Sequence, residues 1–258
     1  VRELLRHPQD HVGQQVALCG WVRTVRDVKA CAFIELNDGS VVKNVQVVCG
    51  NDKPVYEQAK AIGVGAALRV QGQVVESQGN QAIEIQAETI LVEGECPSDY
   101  PLQKKRHSVE FLRTIAHLRP RTNLFNAAFR VRSEAAFAIH QFFHDRGFVY
   151  AHPPLNTASD AEGAGDMFHV TTLDLNKVPK TADGQVDYSQ DFFGSPTNLT
   201  VSGQLEAETF ALAFGKTYTF GPTFRAENSN TTRHAAEFWM FEPEVAFGDL
   251  KGNMALAE

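Results

Sequence analysis

The 258-residue chain reads as an α+β fold, and three features of the sequence predict it. Residues 1–95 alternate apolar and polar side chains in five short runs. Residues 124–146 repeat apolar side chains at helical spacing, and residues 217–247 form two strand-like runs around a polar loop.

The five runs lie at 15–26, 30–37, 43–48, 66–75 and 81–92, with a helix near 54–62 between the third and fourth. That order is the one of an OB-fold, a small Greek-key barrel that often binds single-stranded nucleic acid. Alternation puts Ala32, Ile34 and Leu36 on one face and Cys31, Phe33 and Glu35 on the other; Ile83, Ile85 and Ala87 likewise oppose Glu84, Gln86 and Glu88. An outward Phe33 among polar neighbours suits stacking on an unpaired base. The plain alternative is that it caps the barrel or meets a neighbouring domain. Arg23, Arg26 and Glu84 belong to the same surface, and Cys19 and Cys31 are expected to fill the core.

Gly94, Pro97 and Ser98 break the periodicity at 93–99 and mark a linker. Basic residues then crowd 104–121, including Lys104, Lys105, Arg106, Arg113, Arg119 and Arg121. They read as a solvated helix face or as a patch that tracks phosphates. The net charge of −7 argues against an indiscriminate nucleic-acid binder but leaves room for such a patch.

The helix at 124–146 carries Phe125, Ala128, Phe129, Ala136, Phe137, Ile139, Phe142 and Phe143, and runs into Gly147, a short strand at 148–151 and Pro153-Pro154. At 156–168, Ser159, Asp160 and Glu162 sit among Gly163, Ala164 and Gly165. Such a loop can close over a ligand as a lid, or be plain surface. Gln204 follows Ser202 and Gly203, and Glu208 reads as a helix-face residue.

In the hairpin, the strands are expected at 217–224 and 237–247 around the loop 227–232. Phe238, Met240, Glu242 and Glu244 then share one face, while Glu237, Trp239 and Phe241 share the other. Arg225 extends the outgoing strand, and Arg233 and His234 lie where the loop rejoins. Guanidinium forks suit phosphate and carboxylate oxygens, and an aromatic face suits a purine; together these are the groups a nucleoside triphosphate requires.

The wording FRAENSNTTRHAAEFWMFEPE closely resembles motif 2 of the class II aminoacyl-tRNA synthetases and, within them, the asparaginyl enzymes in their bacterial form. The resemblance spans essentially the whole chain. It implies that Arg225 holds the ATP α-phosphate and the amino-acid carboxylate, that Glu227 reads the adenine side, that Arg233 and His234 meet the outer phosphates, and that Phe238 stacks on adenine. Glu162 would hold the substrate's α-ammonium from the flipping loop, and Gln204 would contact the amino acid. Pro154 aligns with the proline of motif 1, which implies a homodimer. Residues 1–95 resemble the anticodon-binding OB-fold barrel of this class, so that Phe33 and Gln46 would touch the central U of the anticodon, with Glu84 beside them. Residues 96–122 resemble the hinge, and 123–258 the first part of the class II catalytic domain, an antiparallel sheet with flanking helices.

The implied reaction uses ATP with Mg2+, whose ligands the sequence leaves unassigned, and the implied partners are asparagine and tRNA(Asn). Charge separates asparagine from aspartate: an amide offers N–H donors and needs an acceptor, whereas a carboxylate needs a cation. Aspartyl enzymes carry a lysine three residues after the glutamine, where this chain has Ala207; Glu242 is the expected acceptor. Two other readings compete, an aspartyl or non-discriminating synthetase and a tRNA-binding module without catalysis. The family's third motif has no counterpart before Glu258, so a fragment is expected. No apolar run approaches a membrane span, no signal-peptide core opens the chain, and the four cysteines form no metal pair. These features predict a cytosolic protein with reduced thiols.

Overall fold

In the computed structural model of the chain, residues 1–161, 163, 165–229 and 231–258 are described. They fall into two compact units, Val1–Ser133 and Glu134–Glu258.

In the first unit a short helix α1 (Arg2–Arg6) precedes the strands β1 (Gln15–Asp27), β2 (Cys31–Asn37) and β3 (Val45–Gly50). The helix α2 (Val55–Ala61) follows, then β4 (Ala67–Glu76) and β5 (Ile83–Gly94). The strands close into a barrel of order β1-β2-β3-β5-β4, sealed by parallel pairing of Val47 with Ile85. The expected parity holds: Ala32, Ile34, Leu36, Val47, Val70 and Ile85 are wholly buried. Each large aliphatic side chain so placed contributes about 1.5–3 kcal/mol. Strand β3 starts two residues later than predicted because Asn37 donates to the carbonyls of Val41 and Lys43 and to Asn44 Oδ1, at 3.0–3.1 Å, and holds that stretch as a turn. Two close approaches demand glycine. A Cβ at Gly72 would lie 2.2 Å from the carbonyl oxygen of Gln86, and one at Gly20 would lie 2.7 Å from that of Asn37.

One expectation for the core fails. Gly20 and Val22 point inward, so Cys19 takes the outward parity of β1 and is exposed; Cys31 is half-buried, and the buried cysteine is Cys49. Burial pushes the Cys49 thiol up to about 11. All four cysteines are free thiols. In the basic stretch only α3 (Val109–Thr114) is an α-helix, started by Ser108 Oγ accepting from the Phe111 amide at 3.2 Å.

The helix α4 (Asn123–Asp145) leads into the second unit, followed by β6 (Val149–Tyr150), β7 (Asn156–Thr157), β8 (His169–Val170) and β9 (Thr197–Leu199). The chain then forms α5 (Gln204–Phe214), β10 (Lys216–Phe224), β11 (Glu237–Val245) and α6 (Leu250–Ala257). Strands β10 and β11 make the expected hairpin, and β6 joins β10 in parallel. The two faces of this sheet differ. One packs Tyr218 and Phe220 against Phe143, Phe148, Ala136 and Ile139, with the Phe143 and Tyr218 rings stacked at 4.6 Å. The other carries Thr217, Thr219 and Thr223, each at most 2 % exposed. Here α5 lies close because Ala207 and Ala211 are small, and Thr217 Oγ1 donates to the Ala207 carbonyl at 3.1 Å.

Strands β7, β9 and β8 form a second small sheet across a stretch whose first part the sequence reads as loop. Asp191 anchors it. Its buried carboxylate accepts from Thr171 Oγ1, the Thr172 amide and hydroxyl, and the Phe192 amide, at 2.5–2.9 Å. Those donors hold its pKa well below the usual carboxylate range. The apolar stripe of α4 is only partly covered: Phe143 is buried, whereas Phe137 is 67 % exposed.

Candidate functional site

On the threonine-bearing face of the hairpin, pairing sets Thr223 opposite Phe238, Thr219 opposite Glu242 and Thr217 opposite Glu244. Period-two alternation therefore brings the aromatic and acidic groups of β11 to one side, as the sequence predicts. The pairing runs one step further, since the Arg225 amide donates to the Ala236 carbonyl at 3.0 Å. The Arg225 side chain folds back so that its guanidinium carbon lies 5.5 Å from the centroid of Phe238. Its Nη2 reaches the Val201 carbonyl at 3.5 Å, and its buried Nε has no hydrogen-bond partner among the described residues. An unmet buried donor costs about 1–3 kcal/mol, which an anionic ligand would recover.

The segment before β8 packs on this tip. The Ala226 amide donates to the Asp166 carbonyl at 2.7 Å. A Cβ at Gly165 would stand 3.1 Å from both Arg225 Cδ and Glu227 Oε1. Glycine thus lets the loop approach the arginine. Glu162 lies outside the described residues.

Glu242 is held by three donors. Ser202 Oγ donates to Oε1, while the Gly203 amide and Thr219 Oγ1 donate to Oε2 at 3.0 and 2.8 Å. A carboxylate has about four lone-pair sites, so one stays open toward a ligand. Gly203 is the N-cap of α5, and the negative charge suits that helix end. Gln204 sits one residue on, with its amide nitrogen on Glu208 Oε1 at 3.1 Å. Burial, with the charges of Glu208 and Glu242, raises the pKa of Glu244. Ala207 is wholly buried against Thr217.

Glu227, Arg233 and His234 are exposed around the loop, and His234 Nδ1 is hydrogen-bonded to Thr231 Oγ1. Among the described residues, no hydrogen bond or ring contact joins Arg233 or His234 to Arg225. Nor does any group of three or more His, Cys, Asp or Glu side chains stand ready to hold a metal ion among them. Sequence reasoning missed the part played by Ser202 and Thr219. The alternating threonines of 217–223 could have pointed to Thr219; the contact from Ser202 spans forty residues and left no local signal.

The barrel carries its own cluster. Phe33 is half-buried and pairs in register with Arg26, whose guanidinium carbon is 4.8 Å from the ring centroid. Gln46 donates to Glu84 Oε2 at 3.1 Å, and Ser77 Oγ donates to the same oxygen at 3.0 Å. Glu84 is only 8 % exposed, so it fixes the Gln46 amide rather than offering itself. In the second unit, Pro154 is exposed.

Residues 108–258 match the family model of class II tRNA synthetases (D, K and N), and residues 16–93 match that of the OB-fold nucleic acid binding domain. The asparagine-tRNA ligases of Desulfitobacterium hafniense, Acetivibrio thermocellus and Bacillus thuringiensis are 58 %, 60 % and 61 % identical over all of this chain, which covers 56 % of each relative. The chain thus spans about half the length of the curated relatives it matches. The solved asparaginyl-tRNA synthetase of Pyrococcus horikoshii complexed with asparaginyl-adenylate superposes with a TM-score of 0.80 at 26 % identity, over 96 % of this chain and 53 % of that one. The Entamoeba histolytica asparaginyl-tRNA synthetase shares the fold, with a TM-score of 0.76 at 24 % identity over 94 % and 53 %.

Proposed function

Since the chain belongs to the class II tRNA synthetases of the D, K and N group, we propose that it carries the asparagine-activating face and the anticodon-reading barrel of an asparagine-tRNA ligase. One observation carries this reading: Arg225, with an unspent buried donor, shares a sheet face with Glu242, a carboxylate fixed by three donors.

The first step joins a carboxylate oxygen of asparagine to the α-phosphorus of ATP and breaks the bond to pyrophosphate. Arg225 serves both partners. Its planar cation neutralises charge on the carboxylate and on the phosphorus centre, and holding the two together turns the encounter into an oriented one. Phe238 keeps one ring face against Arg225 and gives the other to adenine. Arg233 and His234 come to the outer phosphates, Glu227 to the adenine side, and Glu162 with Gln204 to the amino acid. In the second step a terminal ribose hydroxyl of tRNA(Asn) attacks the carbonyl carbon of the adenylate, and AMP leaves.

Specificity for asparagine follows from charge. The open lone pair of Glu242 accepts from the side-chain amide, whereas a free aspartate carboxylate would meet a fixed negative charge. Ala207 supplies no compensating cation. In the barrel, Phe33 stacks on the central anticodon base and Gln46, oriented by Glu84, reads its edge. Residues 1–95 thus bind the anticodon, 96–122 form the hinge, and 123–258 do the chemistry. ATP comes with Mg2+ as its counterion, a second copy covers Pro154 and the exposed stripe of α4, and the cytosol is the compartment.

The test is calorimetric titration of this chain with the non-hydrolysable sulfamoyl analogues of asparaginyl- and aspartyl-adenylate. Tight binding of the first alone, lost in Arg225→Ala, is expected. Equal binding of both analogues, or binding that Arg225→Ala leaves intact, refutes the assignment.

A further inference from the structure

The basic stretch at 104–121 plays no part in the activation chemistry. In the first unit it closes over one face of the barrel and leaves a cavity of about 720 Å3, within the range of about 300–1,000 Å3 usual for small-molecule sites. Arg23, Lys104, Lys105, Arg106 and Arg121 line it against a single carboxylate, Glu35. Glu35 already accepts from Asn44 at 2.9 Å. Five cations to one acid is a sharp local excess in a chain of net charge −7.

None of the five takes part in an ion pair among the described residues. Arg23 Nη2 donates to Asn123 Oδ1 at 3.3 Å, and Arg121 Nη1 donates to the Tyr100 hydroxyl at 3.2 Å with its guanidinium over that ring. These neutral contacts hold the two guanidinium groups in place and leave most of their N–H donors unspent. Beside them Trp21 offers an open ring, 51 % exposed. Trp21 and Arg23 both line the cavity from β1, at the place where the pairing of β1 with β2 shifts register between Val22 and Thr24.

We propose that this cavity is a second nucleotide site, taking a phosphate between Arg23 and Arg121 and a base against Trp21. Arginine forks match phosphate oxygens and a tryptophan ring matches a purine or pyrimidine face. Burial holds the Arg23 guanidinium below its usual pKa, and the charge of Arg121 pushes the same way; the negative charge of a bound phosphate would oppose both. A free nucleotide and a nucleotide within an RNA strand present the same chemistry to this site.

The chain has two tryptophans, so a Trp239→Phe background leaves Trp21 as the sole indole reporter. Titration with AMP, and separately with a 5′-phosphorylated oligouridylate, should quench its fluorescence saturably, with inorganic phosphate competing. Arg23→Gln and Arg121→Gln should each weaken the response about tenfold or more, with the fold checked by circular dichroism. Arg225→Ala should leave it unchanged, which separates this site from the activation face. Quenching by AMP assigns the cavity to free nucleotides, and quenching by the oligonucleotide alone assigns it to an RNA strand. No quenching by either, or quenching that survives both arginine substitutions, overturns the proposal.

Discussion

Replacing Glu242 separates its structural part from the recognition part proposed for it. In Glu242→Ala the hydroxyls of Ser202 and Thr219 and the amide of Gly203 lose their acceptor at a place where Ser202 and Thr219 are 8 % and 2 % exposed. Three orphaned donors at about 1–3 kcal/mol each set an upper range. The two hydroxyls can turn toward other acceptors, so we expect about 3–5 kcal/mol, a large share of the roughly 5–15 kcal/mol that holds a domain together. Glu242→Gln keeps the shape. Its amide oxygen can serve Gly203 and Thr219, and its nitrogen can face a Ser202 hydroxyl turned to accept. Only charge assistance is lost, about 1–2 kcal/mol in total. Urea unfolding followed by circular dichroism reads both costs, provided that the m-value stays constant. The Gln variant should also bind the aspartyl-adenylate analogue more tightly than the wild type, because the fixed negative charge is gone. An Ala variant within about 0.5 kcal/mol of the wild type would show that the three donors do not depend on this carboxylate. A Gln variant as damaged as Ala would show that charge, not shape, holds the cluster.

Ile34→Ala, in the barrel centre where Ile34 is wholly buried, should cost about 2–5 kcal/mol by urea unfolding of the first unit. Phe33→Ala, one residue away on the outer face, should leave the barrel's melting temperature nearly unchanged while weakening anticodon stem-loop binding about ten- to hundredfold, one stacked base; filter binding checks it. The pKa of Asp191 is depressed from its ordinary 3.8, so its contribution is present above that pH and lost as pH falls through the folded value. Asp191→Asn should therefore lower Tm at pH 7 and flatten the acid side of a Tm-versus-pH curve. Glu244 is raised above 4.5, so stability falls as pH rises from there through its folded pKa. Glu244→Gln should raise Tm at neutral pH and remove that slope.

The barrel was legible because a half-buried strand writes its two faces into every second residue, as β2 does from Cys31 to Leu36 and β5 does from Ile85 to Glu88. Strand ends differ by one or two residues, as at β3, where Asn37 claims part of the next strand for a turn. Cys19 was misplaced because β1 carries a glycine at an inward position, which blurs its alternation. At the candidate site, the motif pointed to Arg225 and Glu242, but the groups that hold Glu242 come from α5's N-terminus and from β10. Such contacts are made by tertiary packing and leave no trace at short spacing. The same holds for Gln46, whose partner Glu84 lies thirty-eight residues away, and for Asp191, whose four donors lie in two separate segments.

The two faces of the β10–β11 hairpin set different rules for sequence drift. On the aromatic side, Phe220 packs by shape, and other large apolar residues of similar volume can take its place with local repacking, whereas the Tyr218 hydroxyl is hydrogen-bonded to His140 at 2.7 Å. On the opposite side, each threonine hydroxyl that binds Ala207 or Glu242 has a fixed partner, and even the near-isosteric valine would strand it. Position 220 should therefore tolerate substitution better than 217, 218 or 219. Position 242 is tied by hydrogen bonds to 202 and 219, so a change there should travel together with changes at those two positions, and this corner of the fold drifts by sets of substitutions rather than one at a time.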